Sequence, residues 1–122
     1  MAEVRMTDTE QVGGLSVVAT STDGIRVLTV AGEIDHHTGD QLRRALDVTG
    51  AAQPRIVIDM RQVTFMDSTG INILIAAYQA VTEAGGWLRL AAPTDSVLRV
   101  LQLVGIDAVI DCRETLRQAL GN

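Results

Sequence analysis

The sequence contains no lysine, because all ten of its basic residues are arginine. This absence excludes two kinds of chemistry, since neither a Walker-type phosphate loop nor a Schiff-base enzyme can be built without a lysine amine. The arginines are scattered along the chain, and the formal net charge is −5. Nucleic-acid affinity is supplied largely by clustered cations, so we expect no nucleic-acid partner.

Cysteine and aromatic residues are also scarce. Cys112 is the single cysteine, and aromatic residues make up 2% of the chain. One cysteine excludes a disulfide framework and a thiolate metal site. The fully apolar runs are too short to span a bilayer, and residues 1–14 lack the apolar core of a signal peptide. These absences predict a soluble cytoplasmic protein with no membrane partner.

The length and the hydrophobic pattern predict one domain. With 122 residues, of which 47% are hydrophobic, the chain can bury a single core. Residues 1–13 are polar and unpatterned, so we expect a flexible tail there and a folded domain over residues 14–122. Apolar runs typical of strands and helices then alternate in the order β-β-α-β-α-β-α-β-α. This order predicts an α/β domain with a mixed, mostly parallel sheet of about five strands and about four helices.

The individual elements follow from turn signals and periodicity. Asp23-Gly24 indicates a hairpin turn between the first two strands. The long helix has apolar residues at spacings of three and four, which predicts a core-facing stripe of Ile71, Leu74, Ile75, Tyr78 and Val81. The predicted strands are residues 15–20, 25–31, 55–60, 87–91 and 108–110, and the predicted helices are residues 38–49, 68–83, a helix opened by 93–95 and stopped by Gly105, and 113–120.

A strand-to-helix junction lies at residues 64–71. Asp67, Ser68 and Thr69 all favour the start of a helix, because a short side-chain oxygen can accept from the first unpaired N–H groups. Ser68 can therefore be interpreted as part of a helix cap. It can also be interpreted as an exposed phosphoacceptor, since the positive end of a helix dipole stabilises a phosphate. The two interpretations are compatible. The Thr69 hydroxyl is better explained by its place in the first helical turn than by modification.

The same junction partly matches an enzyme pattern. Residues 66–70 lack the first glycine of the Gly-x-Ser-x-Gly turn of α/β-hydrolases, and the candidate bases are limited to His36 and His37. A triad of Ser68, His36 and Asp35 would need an adjacent Asp and His to orient each other, which is rare. Adjacent histidines also point in different directions, and no further cluster completes a metal site. The sequence therefore predicts no catalytic residue, no metal and no cofactor.

Two polar loops are expected to meet at one edge of the sheet. If the strands at residues 25–31 and 55–60 are parallel neighbours, the loops at 33–38 and 63–70 both follow carboxyl ends of strands. That edge would present Asp35, the two histidines, Ser68 and the first exposed turn of the long helix. This arrangement favours a surface on which another protein docks.

Two motifs together resemble the bacterial anti-sigma factor antagonists of the STAS domain family. They are Glu33-Ile34-Asp35-His36-His37-Thr38 and, about thirty residues later, Phe65-Met66-Asp67-Ser68-Thr69-Gly70. The resemblance runs from about Gly14 to Leu120 and includes the order of elements. It implies that the unphosphorylated protein binds an anti-sigma factor serine kinase and so releases a sigma factor. It also implies that this kinase phosphorylates Ser68 to end binding, and that a serine phosphatase resets the cycle.

The resemblance further assigns the family's acidic contact to Asp35 and the cap before the serine to Asp67. The chain departs from the family at Asn72, where a very small residue is common, and Asn72 lies on the helical face of Ser68. The alternatives are a STAS module of another signalling or transporter-associated complex, or a small serine hydrolase using Ser68. The oligomeric state stays open between monomer and weak dimer. The expected partner-binding residues are Asp35, His36, Thr38, Asp67, Ser68, Thr69, Gly70, Ile71 and Asn72, with Ser68 as the phosphosite.

Overall fold

The computed structural model describes residues 5–12 and 14–121, with the side chains described for the second range. The strands and helices of this part of the chain form a single six-stranded sheet with helices packed on both of its faces. In chain order the elements are β1 (Arg5–Val12), β2 (Leu15–Thr22), β3 (Ile25–Ile34), α1 (Gly39–Ala45), β4 (Arg55–Met66), α2 (Ser68–Glu83), β5 (Trp87–Ala91), α3 (Asp95–Leu103), a 3₁₀ turn (Ile106–Ala108), β6 (Asp111–Arg113) and α4 (Leu116–Leu120).

The strands lie side by side in the order in which they occur along the chain. The β1–β2 and β2–β3 pairs are antiparallel, whereas β3, β4, β5 and β6 run parallel. The five strands from β2 to β6 and the four helices confirm the predicted mixed α/β architecture. The parallel pairing of β3 with β4 is the feature that places their following loops at one edge.

The amino-terminal segment differs from the expected flexible tail. Arg5–Val12 forms strand β1, which pairs with β2 from Arg5 opposite Ser21 to Val12 opposite Leu15. The rest of the expected tail, residues 1–4 and 13, lies outside the described residues. An edge strand needs only main-chain hydrogen bonds to its neighbour, so an irregular side-chain pattern does not prevent its formation.

The carboxyl-terminal elements are shifted relative to the prediction. The strand expected at residues 108–110 is wrong, because the 3₁₀ turn Ile106–Ala108 precedes a strand at Asp111–Arg113. Ile110 is fully buried ahead of that strand, so its apolar character reflects core packing and not strand pairing. The last helix begins at Leu116 and is capped by Thr115, and α1 is likewise shorter than expected.

The main core lies between one face of the sheet and the helices α1, α2 and α3. A smaller cluster on the other face packs under α4. The predicted stripe on α2 is correct for Ile71, Leu74 and Val81, which are buried. It is wrong for Ile75, which is 36% exposed, because this residue lies on the flank of the buried face of the helix.

Strand β4 carries more residues than β3 over the stretch where the two strands pair. The register shifts after Thr29 and again between Gly32 and Glu33, so Gly32 lies opposite Val63 whereas Glu33 lies opposite Phe65. Gly32 has φ of 111°, and a Cβ there would lie 1.7 Å from the Gly14 carbonyl oxygen. Such bulges bend a strand and change the direction of the side chains that follow.

Candidate functional site

The loops after β3 and β4 meet, as the sequence predicted. The Asp67 N–H donates to the Ile34 carbonyl oxygen at 3.3 Å, which ties the end of β3 to the start of α2. A Cβ at Gly39 would lie 2.9 Å from Cγ2 of Thr69, so the first turns of α1 and α2 also approach closely. We call the surface formed by residues 33–38 and 64–72 the carboxyl edge.

Asp67 is the residue that caps α2. Its backbone is extended, with φ of −108° and ψ of −166°, and its Oδ1 accepts from the Thr69 N–H at 2.9 Å. Ser68 follows as the first helical residue, is exposed, and makes no hydrogen bond through its hydroxyl to residues 14–121. The interpretation of Ser68 as the cap is therefore wrong, and the assignment of the cap to Asp67 is correct.

The loop that contains Asp35 is held in one shape by short-range hydrogen bonds. Asp35 Oδ1 accepts from the N–H groups of His37 at 2.9 Å and Thr38 at 3.2 Å. The Thr38 hydroxyl donates to the Glu33 carbonyl oxygen at 2.8 Å and accepts from the Asp35 N–H at 3.0 Å. Thr38 is buried, with 4% of its surface exposed. The loop therefore holds the half-buried Asp35 carboxylate in a fixed position.

The carboxyl edge carries negative charge. Partial desolvation raises the pKa of Asp35, but hydrogen bonds from the N–H groups of His37 and Thr38 outweigh it and lower that pKa below its usual value. Within residues 14–121, no arginine forms an ion pair with Asp35 or Asp67. Exposed Glu33 adds a third carboxylate. The acidic groups of this edge are therefore not neutralised by any arginine of residues 14–121.

The two histidines lie on this edge without assembling a catalytic or metal site. Their rings are exposed and lie against each other, with centroids 3.9 Å apart. The Asp35 carboxylate accepts from the main-chain N–H groups of His37 and Thr38 and not from a histidine ring. Within residues 14–121, neither imidazole is hydrogen-bonded to the Ser68 hydroxyl. The conceived Ser68–His36–Asp35 triad is therefore not formed. Over the described part of the chain, no three His, Cys, Asp or Glu side chains are grouped closely enough to hold a metal ion.

The predicted partner-binding residues differ in exposure. The side chains of His36, Ser68 and Asn72 are exposed, and those of Asp35, Asp67 and Thr69 are half-buried. The remaining three residues are buried beneath this surface and support it from below. They are Thr38, Gly70 and Ile71.

Sequence reasoning missed two exposed apolar residues, one before Ser68 in β4 and one two turns after it in α2. Phe65 is 48% exposed and Ile75 is 36% exposed. Phe65 is exposed because β4 has an extra residue where it pairs with β3. This irregularity depends on the pairing of the two strands, so the sequence alone does not show it.

Two clefts in the described part of the molecule lie away from Ser68. The larger cleft, of about 780 Å³, lies between the end of α1, the loop that follows it and α2, and Ser68 does not line it. A second cleft of about 530 Å³ is at the opposite end of the strands, near Pro54 and Trp87. Ser68 therefore lies outside both of these clefts, where small ligands would bind most readily.

In the described part of the chain, the helices are too short or too polar for a membrane crossing.

Comparison with known proteins identifies the family. A family model described as the STAS domain matches residues 16–119. The chain is 31% identical to the anti-sigma F factor antagonist of Paenibacillus polymyxa, over 68% of this chain and 73% of that protein. It is 30% identical to the anti-sigma-F factor antagonist RsfB of Mycobacterium tuberculosis, over 87% of each.

A solved structure extends this likeness to the fold. The crystal structure of an anti-sigma factor antagonist from Mycobacterium paratuberculosis matches with a TM-score of 0.78 and 32% identity, over 87% of this chain and 91% of that one. The matched region includes both polar loops of the carboxyl edge, since the family model spans residues 16–119. The paired motifs, the sheet order and these matches agree, and the chain belongs to the STAS domain family.

Proposed function

We propose that this protein is an anti-sigma factor antagonist that works as a phosphorylation-controlled binding partner and not as an enzyme. Its unphosphorylated form binds an anti-sigma factor at the carboxyl edge and so releases a sigma factor. The anti-sigma factor is a serine kinase that uses ATP to phosphorylate Ser68, and a serine phosphatase removes the phosphate. The observation that carries this proposal is the exposed Ser68 hydroxyl at the start of a helix that Asp67 already caps.

Modification of Ser68 is compatible with the fold. The Ser68 hydroxyl is not engaged with residues 14–121, so its phosphorylation removes no hydrogen bond from this part of the molecule. The N-terminus of the 16-residue helix α2 favours negative charge, because unpaired N–H groups and the helix dipole lie there. We therefore expect the phosphorylated protein to keep its backbone conformation.

The phosphate is expected to act on the partner. It adds about −1.5 to −2 charges at neutral pH. This charge joins Asp35 and Asp67, which lack arginine partners within residues 14–121. A partner surface that fits the unphosphorylated edge then meets extra bulk and uncompensated charge, so binding is lost without a change of fold.

The deciding experiment measures affinity for each anti-sigma factor kinase encoded in the source genome, at one fixed salt concentration. Wild type and Ser68→Ala are expected to bind one of these kinases equally. Ser68→Asp is expected to bind at least about tenfold more weakly, a loss of about 1.4 kcal/mol. Gln102→Glu is the matched control, because it adds one negative charge at an exposed position near the end of α3, away from the carboxyl edge.

Two further readouts locate the modification and its effect. After incubation with the same kinase and ATP, peptide mapping is expected to find one phosphate on Ser68 and none on half-buried Thr69. Backbone amide NMR spectra of the two forms are expected to differ only near the carboxyl edge. Equal binding by wild type and Ser68→Asp, or phosphate on another residue, would contradict the proposal.

A further inference from the structure

Phe65 is the sole phenylalanine of the sequence, and it is kept at the surface by an irregularity in β4. Val63 points into the core, so regular alternation would also turn Phe65 inward. The extra residue Thr64 interrupts that alternation, and as a result Met66 is buried whereas Phe65 is 48% exposed. The irregularity of β4 therefore places an exposed aromatic ring at the start of the segment that leads to Ser68.

The surroundings of Phe65 indicate what kind of partner would cover it. The ring lies three residues before Ser68 and opposite Glu33, an exposed acid in the neighbouring strand. Asp35 and Asp67 continue the acidic surface on the same edge. An exposed aromatic group on an edge that also carries three carboxylates fits an apolar pocket with basic side chains on its rim, because interface hot spots pair buried aromatic anchors with complementary charge.

A second group of exposed apolar residues lies away from Ser68 and from the two polar loops. Leu103, Val104 and Val109 are 79%, 55% and 56% exposed, and they lie where α3 ends and the chain turns towards β6. That corner is at the opposite end of the parallel strands from the carboxyl edge. Leu103 therefore offers a matched position at which an exposed apolar side chain can be removed without touching the surface around Ser68.

We propose that Phe65 is the apolar anchor of the partner interface, inserted into a pocket of the anti-sigma factor that is rimmed by basic side chains. This inference rests on the proposed function and adds to it the chemistry of the partner surface. In this proposal the Phe65 ring contacts the kinase beside the Ser68 hydroxyl. It contributes to binding and takes no part in the reaction, because a phenyl ring carries no acid, base or nucleophile. Its removal should weaken the encounter with the kinase and leave the phosphoryl transfer itself unchanged.

The test compares Phe65→Ala, Phe65→Leu and Leu103→Ala with wild type, using the kinase that binds wild type. Phe65→Ala is expected to raise Kd at least about tenfold. It is also expected to raise KM for phosphorylation of Ser68 by a similar factor while kcat stays within about threefold, as for a residue used in binding alone. Phe65→Leu should recover part of the affinity, and Leu103→Ala should behave as wild type.

The outcomes separate the two proposals. If wild type binds a kinase and Phe65→Ala, shown to be folded by circular dichroism, binds it equally well, the anchor is refuted and the proposed function stands. A fall in kcat with unchanged KM would also overturn the anchor, since it would place Phe65 at the chemical step. If wild type binds none of the kinases, the proposed function and the anchor fail together.

Discussion

Two acidic regions of the molecule are held in different ways. At the carboxyl edge, Asp35 and Asp67 accept hydrogen bonds from main-chain N–H groups of their own loops. At the corner formed by β5 and β6, Asp111 accepts two bonds of 2.8 Å from Arg113 and lies 3.8 Å from the guanidinium of Arg89. Both arrangements fix a carboxylate, but only the second one neutralises it.

Under the proposed function, this difference separates the binding surface from a region that only supports the fold. An N–H group orients a carboxylate and leaves its full charge, whereas an arginine adds an opposite charge next to it. The Asp111 carboxylate is therefore compensated by positive charge, and the same arginines also bind the end of α4, as Arg89 does with the carbonyl oxygens of Ala119 and Gly121. The carboxyl edge keeps a negative charge that a basic partner, or a phosphate on Ser68, can act on.

The largest expected effect comes from a methyl group placed beneath the carboxyl edge. A Cβ at Gly70 would lie 2.4 Å from Cγ of Met66 and 3.0 Å from Cγ2 of Ile34. Gly70→Ala should therefore lose on the order of 1–2 kcal/mol of unfolding free energy, because overpacking outweighs the better helix propensity of alanine. Urea denaturation measures this loss.

Gly121→Ala is the control for this substitution at the other region. A Cβ there would meet only ordinary contacts at 3.6 Å, so its unfolding free energy should stay within about 0.5 kcal/mol of wild type. An increase in stability for Gly70→Ala would show that α2 does not pack closely on β4.

A somewhat smaller effect is expected from removing the cap of α2. Asp67→Ala should cost about 1 kcal/mol of unfolding free energy, since it leaves the Thr69 N–H without its acceptor. Asp67→Asn keeps an acceptor and should retain most of that stability while reducing the negative charge of the edge. Thr115→Ala, which removes the cap of α4, should also destabilise the protein but leave partner affinity unchanged. Equal partner affinities for Asp67→Asn and wild type would refute a binding role for this charge.

The smallest expected effect concerns the pKa values of the two kinds of carboxylate. Hydrogen bonds and charge from Arg113 lower the pKa of Asp111, whereas hydrogen bonds from main-chain N–H groups lower the pKa of Asp35. Both carboxylates therefore stabilise the fold above about pH 4, and this contribution is lost as the pH falls through their lower folded-state pKa values.

Salt distinguishes these two causes. Raising the salt to about 1 M shortens the screening length to about 3 Å. The pKa of Asp111 should then rise towards its usual value, while that of Asp35 should change less. Carbon-13 NMR titration of the carboxyl groups measures both pKa values in one sample. A larger shift for Asp35 than for Asp111 would show that charge, and not main-chain bonding, fixes Asp35.

The parts of the fold that were predictable carry strong local signals. Helix α2 and strand β5 have the predicted bounds, Ser68–Glu83 and Trp87–Ala91, because a capping residue, a long apolar period and Gly85-Gly86 mark where they begin and end. The joining of the two polar loops was also predictable, since parallel neighbours in an α/β sheet put both loops at their carboxyl ends. The predicted bounds of α1 and the last strand were wrong, because apolar residues pack into the core whether or not they belong to a helix or a strand.

The sequence by itself determined the α/β order, the acidic motif at Asp35 and the position of Ser68 at a helix start, because these depend on residue type and local periodicity. The tertiary structure decided the rest. The irregular pairing of β4 with β3 leaves one extra residue in β4 and so turns Phe65 outward. The extended backbone of Asp67 lets its side chain cap α2, and the Ser68 hydroxyl is left without a hydrogen bond within residues 14–121. Both depend on main-chain hydrogen bonds between segments distant in the chain or on backbone angles, and neither is encoded in the apolar pattern of a single segment.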